Sequence, residues 1–463
     1  MSDILDQLRY SVGDAHVVTG DAVHSDYAHD EALTAHPVMP LALVLPSCTD
    51  DVSAILAIAS AHRVPVVARG SGTGLSGGCR PVADGILIAF DRMRAIRDID
   101  TENQVAVVEP GVTLEQLDAA LAPFGLIYPV LPGEQSASLG GNVATNAGGM
   151  RAVRDGVTRH HVLGLEVVLA DGTVTRTGGK YAKCSSGYDL TQLLIGSEGT
   201  LAITTEITVK VQPRRPVSAT VLAPFSTLAE VAHTVPHIVN SGIDPAILEY
   251  IDVLAMASIT RSAGLDLGIP EETQAAAQAY LVVVIEGTRE NRVDEDVERL
   301  ATLLSEQGAL EVYVLPASAG ANLIAAREKV FFVAKAAGSD DIIDAVLPRA
   351  AIPDYLAEVA LLGSRYGALV TGCGHVGDGN VHLSVFQPDD ELRHGLIGAI
   401  FGVAIAAGGA ISGEHGIGTE KLPYFLELAD PVALSLMRSI KSVFDPLGIL
   451  GPDRLLAMRG DTS

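Results

Sequence analysis

The amino-acid sequence predicts an α+β protein of two or three domains. Its 463 residues are more than one hydrophobic core usually organises. A hydrophobic content of 48% is ample for folded cores and unlike that of a disordered chain. Amphipathic helical runs and short β-branched runs follow each other through both the first third and the middle of the chain.

The first third alternates predicted helices and strands. Apolar residues at helical spacing follow two acids in residues 50–62, which predicts a helix. Three strands are predicted at residues 64–68, 85–90 and 104–109. Residues 113–121 form a predicted amphipathic helix, in which Thr113 and Gln116 can make a capping box.

A predicted hairpin and a long predicted strand follow. Asp171 and Gly172 form the turn of the hairpin at residues 162–174, and residues 201–211 are rich in β-branched side chains. Prolines in residues 213–216 break the chain, and we expect a domain boundary there. Further helices and strands are predicted at residues 228–241, 279–286, 293–307, 310–315 and 431–443. The predicted domains are residues 1–215, 216–411 and 412–463.

Composition excludes several classes of protein. The net charge of -25 argues against binding of nucleic acid, which needs a basic surface, and no polybasic membrane patch is present. The four cysteines show no CxxC spacing, so neither a disulfide framework nor an iron–sulfur site follows. The apolar run at residues 396–408 is too short for a membrane span and predicts a buried helix. With no secretory signal in the sequence, we expect a soluble cytoplasmic protein.

Two glycine-flanked segments carry metal-binding chemistry. Residues 374–382 read Gly-His-Val-Gly-Asp-Gly-Asn-Val-His, and residues 412–418 read Ser-Gly-Glu-His-Gly-Ile-Gly. Two imidazoles and one carboxylate, from His375, His382 and Glu414, suit a catalytic metal that keeps an open coordination position. His415 would then be free to move a proton. Asp378 is expected to shape the turn between Gly377 and Gly379.

A glycine-rich loop at residues 69–78 contains a GxGxxG pattern. The dinucleotide fingerprint requires this pattern to open a helix, whereas Pro81 and a further predicted strand follow here, so binding of NAD is rejected. A loop whose backbone N–H groups surround a pyrophosphate without a helix remains. The small-residue stretch at 131–149 and the turn at 196–201 add to the prediction of a large cofactor.

These motifs together resemble the FAD-linked oxidases of the vanillyl-alcohol oxidase superfamily, in the D-2-hydroxy-acid dehydrogenase branch. The similarity extends over residues 40–456. It implies a two-lobed FAD-binding domain of the PCMH type from the N-terminal part, an α+β cap domain, and a C-terminal return segment that completes the active site.

The resemblance also implies which residues bind the cofactors. Thr73 stands where some members carry a histidine that bonds to the flavin, so non-covalent FAD is expected. The metal is expected to be Zn²⁺ or Mn²⁺ on His375, His382 and Glu414. The expected FAD-binding residues are Arg69, Gly70, Ser71, Gly72, Thr73, Gly74, Pro132, Gly133, Ser138, Gly141, Asn142, Thr145, Asn146, Glu198, Gly199 and Ile203.

By the same resemblance, His415 is the catalytic base and Arg327 receives the substrate carboxylate. Relatives that act on hydroxyglutarate carry a threonine and a lysine for the distal carboxylate, where this chain has Phe331 and Ile342, and Ser384 replaces an asparagine. A D-lactate-like or other monocarboxylate is therefore favoured over a dicarboxylate, and D-2-hydroxyglutarate or glycolate remains the alternative substrate. Lys335 is a nearby cation that could alter this reading.

Two other function classes stay open on the residues alone. A flavin-free, metal-dependent hydrolase would use the same ligands but leaves the N-terminal third unexplained. A metal-binding regulatory module is disfavoured by the intact Glu414–His415 pair and by Arg327. The electron acceptor could be a quinone, a cytochrome, an electron-transfer flavoprotein or an iron–sulfur subunit. Whether the protein forms a homodimer, and whether it associates peripherally with the respiratory chain, also stay open.

Overall fold

The computed structural model describes residues 2–456, in which four β-sheets are surrounded by helices. Residues 457–463 of the predicted C-terminal segment lie outside the described residues. The mixture of helix with mostly antiparallel sheet confirms the α+β class.

The first sheet has four strands and is mainly parallel. Its strands, in spatial order, are Val17–Val18, Ala42–Val44, Ile86–Ala89 and Val66–Arg69. The first pair is antiparallel and the others are parallel. Parallel strands are covered on both faces, which explains the unbroken apolar run Ile86–Ala89.

The second sheet has five antiparallel strands. In spatial order they are Ile96–Asp100, Val105–Val108, Ile203–Lys210, Val162–Val168 and Val174–Gly178. The central strand Ile203–Lys210 alternates buried and partly exposed residues, as a strand with one face on a core does. A two-stranded sheet pairs Leu126–Ile127 with Gln212–Pro213.

The largest sheet has seven antiparallel strands, one of which ends directly before His375 and another of which contains His382. In spatial order its strands are Tyr313–Leu315, Val217–Phe225, Ala279–Gly287, Ile247–Asp252, Leu369–Gly374, Asn380–Phe386 and Asp341–Val346. The strands Asn380–Phe386 and Asp341–Val346 are neighbours in this order. His382 and Asp344 are register partners on them, so the two residues lie side by side.

Helices pack on all three larger sheets. Before residue 215 they are Ser2–Val12, Thr49–His62, Leu114–Leu121, Leu139–Thr145, Ala152–Asp155 and Leu190–Leu194. After it they are Leu228–Asn240, Val253–Ala263, Glu271–Ala276, Glu290–Glu306, Ala317–Glu328, Val330–Ala336, Ile352–Arg365, Asp390–Ala406, Leu422–Leu428 and Pro431–Phe444. Thr113 and Gln116 form the predicted capping box, which fixes the start of Leu114–Leu121.

The C-terminal segment returns to the first sheet. Leu450 bridges to Val66, and Gly451 donates its N–H to the carbonyl of Val66. Buried Lys441 donates to the carbonyls of Thr200 and Leu450, which ties the last helix to the turn before the strand Ile203–Lys210 and to the C-terminal segment. This return confirms the expected arrangement of a C-terminal segment that rejoins the N-terminal part.

The apolar run at residues 396–408 lies in the helix Asp390–Ala406, whose buried face includes Leu396 and Phe401. Among the described residues, no helix combines the length and the apolar character that crossing a bilayer requires.

Candidate active site

A first cavity runs between the glycine loop and the helix Leu139–Thr145. The loop leaves the carboxyl end of the strand Val66–Arg69, and the backbone described between residues 70 and 85 contains no helix. Gly72 has a φ of +77°, a conformation that favours glycine. The expectation that this GxGxxG pattern does not open a Rossmann helix therefore agrees with the backbone.

Ser138 joins the glycine loop to the helix. Its Oγ accepts the N–H of Gly141, which caps the helix, and also the N–H of Ser71, each at 3.3 Å. One turn along, the side-chain amide nitrogen of Asn142 is buried without a hydrogen-bond partner, and Asn142 lines the cavity. A buried donor without a partner costs free energy unless a ligand supplies an acceptor.

Most of the residues expected to bind FAD line this first cavity. They are Gly70, Ser71, Gly72, Thr73, Gly74, Pro132, Gly133, Ser138, Gly141, Asn142, Thr145, Glu198, Gly199 and Ile203. The walls combine backbone N–H groups, small side chains and one orphaned amide, which fits a long ligand that carries phosphate and ring atoms.

The structure does not bring Arg69 and Asn146 to the wall of this cavity. Arg69 is buried beneath the loop, where Nη1 donates to the carbonyl of His29 at 2.6 Å. Asn146 accepts the N–H of Arg159 at 3.0 Å through its side-chain oxygen. Both side chains are committed to holding loops, so direct contact of either with a cofactor stays a prediction that this geometry does not favour.

Glu198 lines the first cavity, but its carboxylate is already occupied. Its two oxygens accept the N–H groups of Ile417 and Gly418, each at 2.7 Å. Burial raises the pKa of Glu198, although these two hydrogen bonds act in the opposite direction. Glu198 therefore joins the segment that follows His415 to the turn at residues 196–201.

The three predicted metal ligands converge. Nε2 of His375 and Nε2 of His382 each lie 3.2 Å from Oε1 of Glu414. The ligand atoms of all three residues lie within 4.8 Å of one another. Two imidazole nitrogens and one carboxylate oxygen directed at one point are a suitable donor set for Zn²⁺ or Mn²⁺.

Sheet register explains this convergence. His375 directly follows the strand Leu369–Gly374, and His382 lies on the adjacent strand opposite Cys373. The backbone turns back between them through Gly379, whose φ is +96°. Two side chains that are seven positions apart in sequence thereby reach the same site.

Asp344 fixes the third ligand. Its Oδ2 accepts the backbone N–H groups of Gly413, Glu414 and His415 at 2.8 to 3.0 Å. The hydroxyl of Ser412 donates to the same oxygen. Asp344 with His382 and His415 also lies within metal-binding distance, but these hydrogen bonds occupy its carboxylate. We therefore assign Asp344 to positioning.

Glu249 connects a metal ligand to the predicted substrate arginine. Its Oε1 lies 2.5 Å from Nδ1 of His375, and its Oε2 lies 2.7 Å from Nη2 of Arg327. The Oε2–Nη2 contact is close, but its angles are not those of a hydrogen bond. Nε and Nη2 of Arg327 are therefore both left as buried donors without a hydrogen-bond partner. Because Nδ1 of His375 faces Glu249, its Nε2 is left to face a metal.

The ionisation of the site follows from burial and from these carboxylates. Burial lowers the pKa of His375, but Glu249 and Glu414 outweigh burial and hold it well above its usual range. Burial raises the pKa of Glu414, but His375 and His382 hold it well below its usual range. The negative field that would retain a proton on His375 also attracts a cation in the proton's place.

His415 is different, because burial dominates and lowers its pKa to about 3 despite the carboxylate of Asp344. Its ring stacks on that of His382, with centroids 5.0 Å apart. His415 is therefore a neutral imidazole at pH 7, able to accept a proton.

A second cavity, of about 540 Å³, opens on the other side of the metal ligands. Arg327, His375 and His382 line it, and Glu414 and His415 line both cavities. Phe331, Ile342 and Ser384 also line the second cavity. Lys335 does not, because its ammonium group is paired with Glu31 at 2.7 Å.

Sequence reasoning missed Glu249 and Asp344. Each is an acid with apolar or aromatic neighbours inside a strand, Ile247–Asp252 or Asp341–Val346, and each is fully buried. The available signal was that a carboxylate inside a buried strand must be paired. The sequence does not name its partners, because these come from distant segments.

Comparison with known proteins agrees with this architecture. Residues 214–455 match the family of FAD linked oxidases, C-terminal domain, and residues 40–178 match the FAD binding domain family. The fold is similar to that of p-cresol methylhydroxylase with substrate bound, with a TM-score of 0.82 at 18% identity over 100% of this chain and 98% of that one.

Curated relatives cover nearly the full length. An uncharacterized FAD-linked oxidoreductase of Mycobacterium tuberculosis is 52% identical over 98% of both chains. Glycolate oxidase subunit GlcD of Bacillus subtilis is 36% identical over 98% of this chain and 97% of its own. D-lactate dehydrogenase of Archaeoglobus fulgidus is 36% identical over 89% and 91%. The chain therefore belongs to the FAD-linked oxidases of the vanillyl-alcohol oxidase superfamily, in the branch of D-lactate dehydrogenase and glycolate oxidase.

Proposed function

We propose that this protein is an FAD- and metal-dependent dehydrogenase that oxidises a D-2-hydroxy monocarboxylate to the 2-oxo acid. The observation that carries the proposal is that the consecutive residues Glu414 and His415 line both cavities. A metal ligand and a base thus lie where a substrate in the second cavity would face a flavin in the first.

The first cavity would hold FAD through the N–H groups of the glycine loop and the free amide of Asn142. Thr73 lines this cavity, and the loop contains no histidine, which favours non-covalent binding. Bound flavin would supply the acceptor for the hydride that leaves the substrate α-carbon.

Residues of the chain would bind and deprotonate the substrate. Arg327 offers donors without hydrogen-bond partners to the substrate carboxylate. A divalent cation on His375, His382 and Glu414 would lower the pKa of the substrate hydroxyl. Nδ1 of His415 lies 4.0 Å from Asp344 without a hydrogen bond, and Nε2 would accept the hydroxyl proton.

The positions around Arg327 favour a monocarboxylate. Phe331 and Ile342 place apolar groups where a distal carboxylate would need donors, and Lys335 is directed away to Glu31. The D-lactate dehydrogenase and glycolate oxidase relatives make a small 2-hydroxy acid the starting point for tests.

Anaerobic reduction of the flavin tests the proposal. Addition of a D-2-hydroxy acid should bleach the visible flavin absorbance, whereas the L-enantiomer should leave it unchanged. His415→Ala should slow the bleaching by about 10²- to 10⁴-fold, the range for loss of a general base. A colourless purified protein that hydrolyses esters would favour the flavin-free hydrolase, and unchanged reduction in His415→Ala would remove this residue as the base.

A further inference from the structure

The second cavity is larger than a three-carbon acid requires. The cavity measures about 540 Å³, within the range of about 300–1,000 Å³ found for pockets that bind drug-sized ligands. Lactate has only six heavy atoms, so even beside a metal ion it leaves space for other substrate atoms.

The extra space has apolar walls. The helices Val253–Ala263 and Val330–Ala336 and three strands of the seven-stranded sheet contribute most of them. The apolar residues that line this part are Leu254, Val330, Val333, Ala334, Ala337, Ile342, Leu369 and Phe386. Such walls suit a hydrocarbon chain, because water held against them gains free energy on release.

Charge is concentrated at one end. Glu328 and Glu414 line both cavities, and His375 and His382 each lie 3.2 Å from Glu414. Arg327 lines the second cavity only and is joined to His375 through Glu249. Arg261, the other charged residue of the lining, is exposed. Apart from Arg261 and the hydroxyl-bearing residues Ser258, Thr371 and Ser384, the lining away from this charged cluster is mostly apolar.

Large side chains at the outer end are left partly in water. Leu254 is 49% exposed and Leu369 is 51% exposed, and both line the cavity. An apolar substrate chain that passes between them would cover this surface. A ligand as short as lactate would leave it wet.

We propose that the preferred substrates are D-2-hydroxy acids with an extended apolar side chain, of about eight to twelve carbons in total. This inference rests on the proposed function and names its substrate class. The proposed reaction is unchanged: His415 would accept the hydroxyl proton, and bound flavin would supply the acceptor for the hydride that leaves the α-carbon as the C=O bond forms. The chain length alters only binding.

A chain-length series tests this inference with the FAD- and metal-loaded enzyme and a dye acceptor. We expect kcat/KM to rise by about three- to fourfold per added methylene from the three-carbon acid onward, and to level off near ten carbons. A value that is highest for glycolate or D-lactate and falls with length would overturn the inference. So would a preference for D-2-hydroxyglutarate, which would assign Arg261 to a distal carboxylate.

Two variants and a control locate the effect. Ala334→Leu adds volume at a buried wall position and so narrows the cavity. Leu254→Glu places a charge at the exposed end, where the larger space around the side chain avoids overpacking the interior. Each should lower the ratio of kcat/KM for the ten-carbon acid to that for D-lactate at least tenfold. Ala336→Leu, on the same helix but exposed and outside the lining, should leave this ratio unchanged. Equal ratios in all three variants would overturn the inference.

The failures are distinguishable. If no D-2-hydroxy acid of any length reduces the flavin, the proposed function itself fails. If short acids reduce it and longer ones are no better, only the assignment of substrate class fails.

Discussion

The carboxylate of Glu249 lies 2.5 Å from Nδ1 of His375, at the centre of the seven-stranded sheet. A carboxylate behind a ligating histidine fixes the ring orientation and raises the basicity of its other nitrogen. The second oxygen of Glu249 faces Arg327 at 2.7 Å. One buried side chain therefore contacts both the proposed metal ligand His375 and Arg327, the arginine proposed to bind substrate.

We predict that Glu249→Gln weakens metal binding by about 10- to 100-fold, the usual effect of losing a carboxylate behind a ligand histidine. Competition with a chromogenic chelator measures this affinity without any turnover. The matched control is Glu206→Gln, which alters a partly exposed ion pair with Arg176 on the second sheet. Equal metal affinity in the Glu249 variant and the wild type would contradict the role of Glu249.

Asp344→Asn tests the anchoring of residues 413–415. The backbone N–H groups of Gly413, Glu414 and His415 all donate to Oδ2, which an amide oxygen can replace. The NH₂ group would then stand where Oδ1 accepts from Nδ2 of Asn380, so two donors would face each other. We expect a loss of about 2–4 kcal/mol in the free energy of unfolding, since one buried hydrogen bond is broken and the others lose their charged acceptor.

This loss should be measured by denaturant unfolding in chelator, so that metal affinity does not contribute. Asp98→Asn, which removes a partner from an exposed ion pair with Lys180, should change stability by less than about 1 kcal/mol. If the two variants unfold alike, Asp344 does not anchor this segment.

Residues whose side-chain type and sequence neighbours together indicate a role could be identified from the sequence. His375, His382, Glu414 and His415 stand out because glycine-flanked imidazoles next to a carboxylate have few other uses. The absence of a helix after the glycine loop was also predictable, because Pro81 and a new strand leave no room for one.

Residues that act through distant partners could not be identified in this way. Glu249 reaches His375 across 126 positions of sequence, and register in the seven-stranded sheet decides that contact. Arg69 shows the reverse case. Its place next to the glycine loop predicts contact with a cofactor, but the folded chain buries its guanidinium against the carbonyl of His29.

Removal of the metal should abolish oxidation of the substrate without releasing the flavin. Chelator-treated protein should keep its flavin colour, because the metal ligands and the glycine loop are separate structures. Reduction by a D-2-hydroxy acid should be lost and should return with Zn²⁺ or Mn²⁺. His382→Ala should need higher metal concentrations for the same rise in Tm, since binding to the folded state raises stability by mass action. Loss of flavin with the metal would contradict this separation.

The last prediction concerns Asp341 and the pH dependence of stability. Burial raises the pKa of this carboxyl from 3.8 to about 6, and Lys421 only partly opposes the shift. Between these two pH values the folded state holds more protons at this site than the unfolded chain, so its contribution to stability falls as pH rises. Asp341→Asn removes the ionisation and retains an oxygen for the N–H of Ile342.

We expect Asp341→Asn to gain stability relative to the wild type as pH rises from 4 to 7, by at most about 3 kcal/mol from the size of the pKa shift. Thermal unfolding of both proteins across this range measures the difference. Asp340→Asn at the neighbouring, partly exposed position is the control and should show no such trend. A constant difference between the Asp341 variant and the wild type would mean that Asp341 titrates alike in the folded and unfolded chains. Burial at the start of the strand Asp341–Val346 would then not raise its pKa.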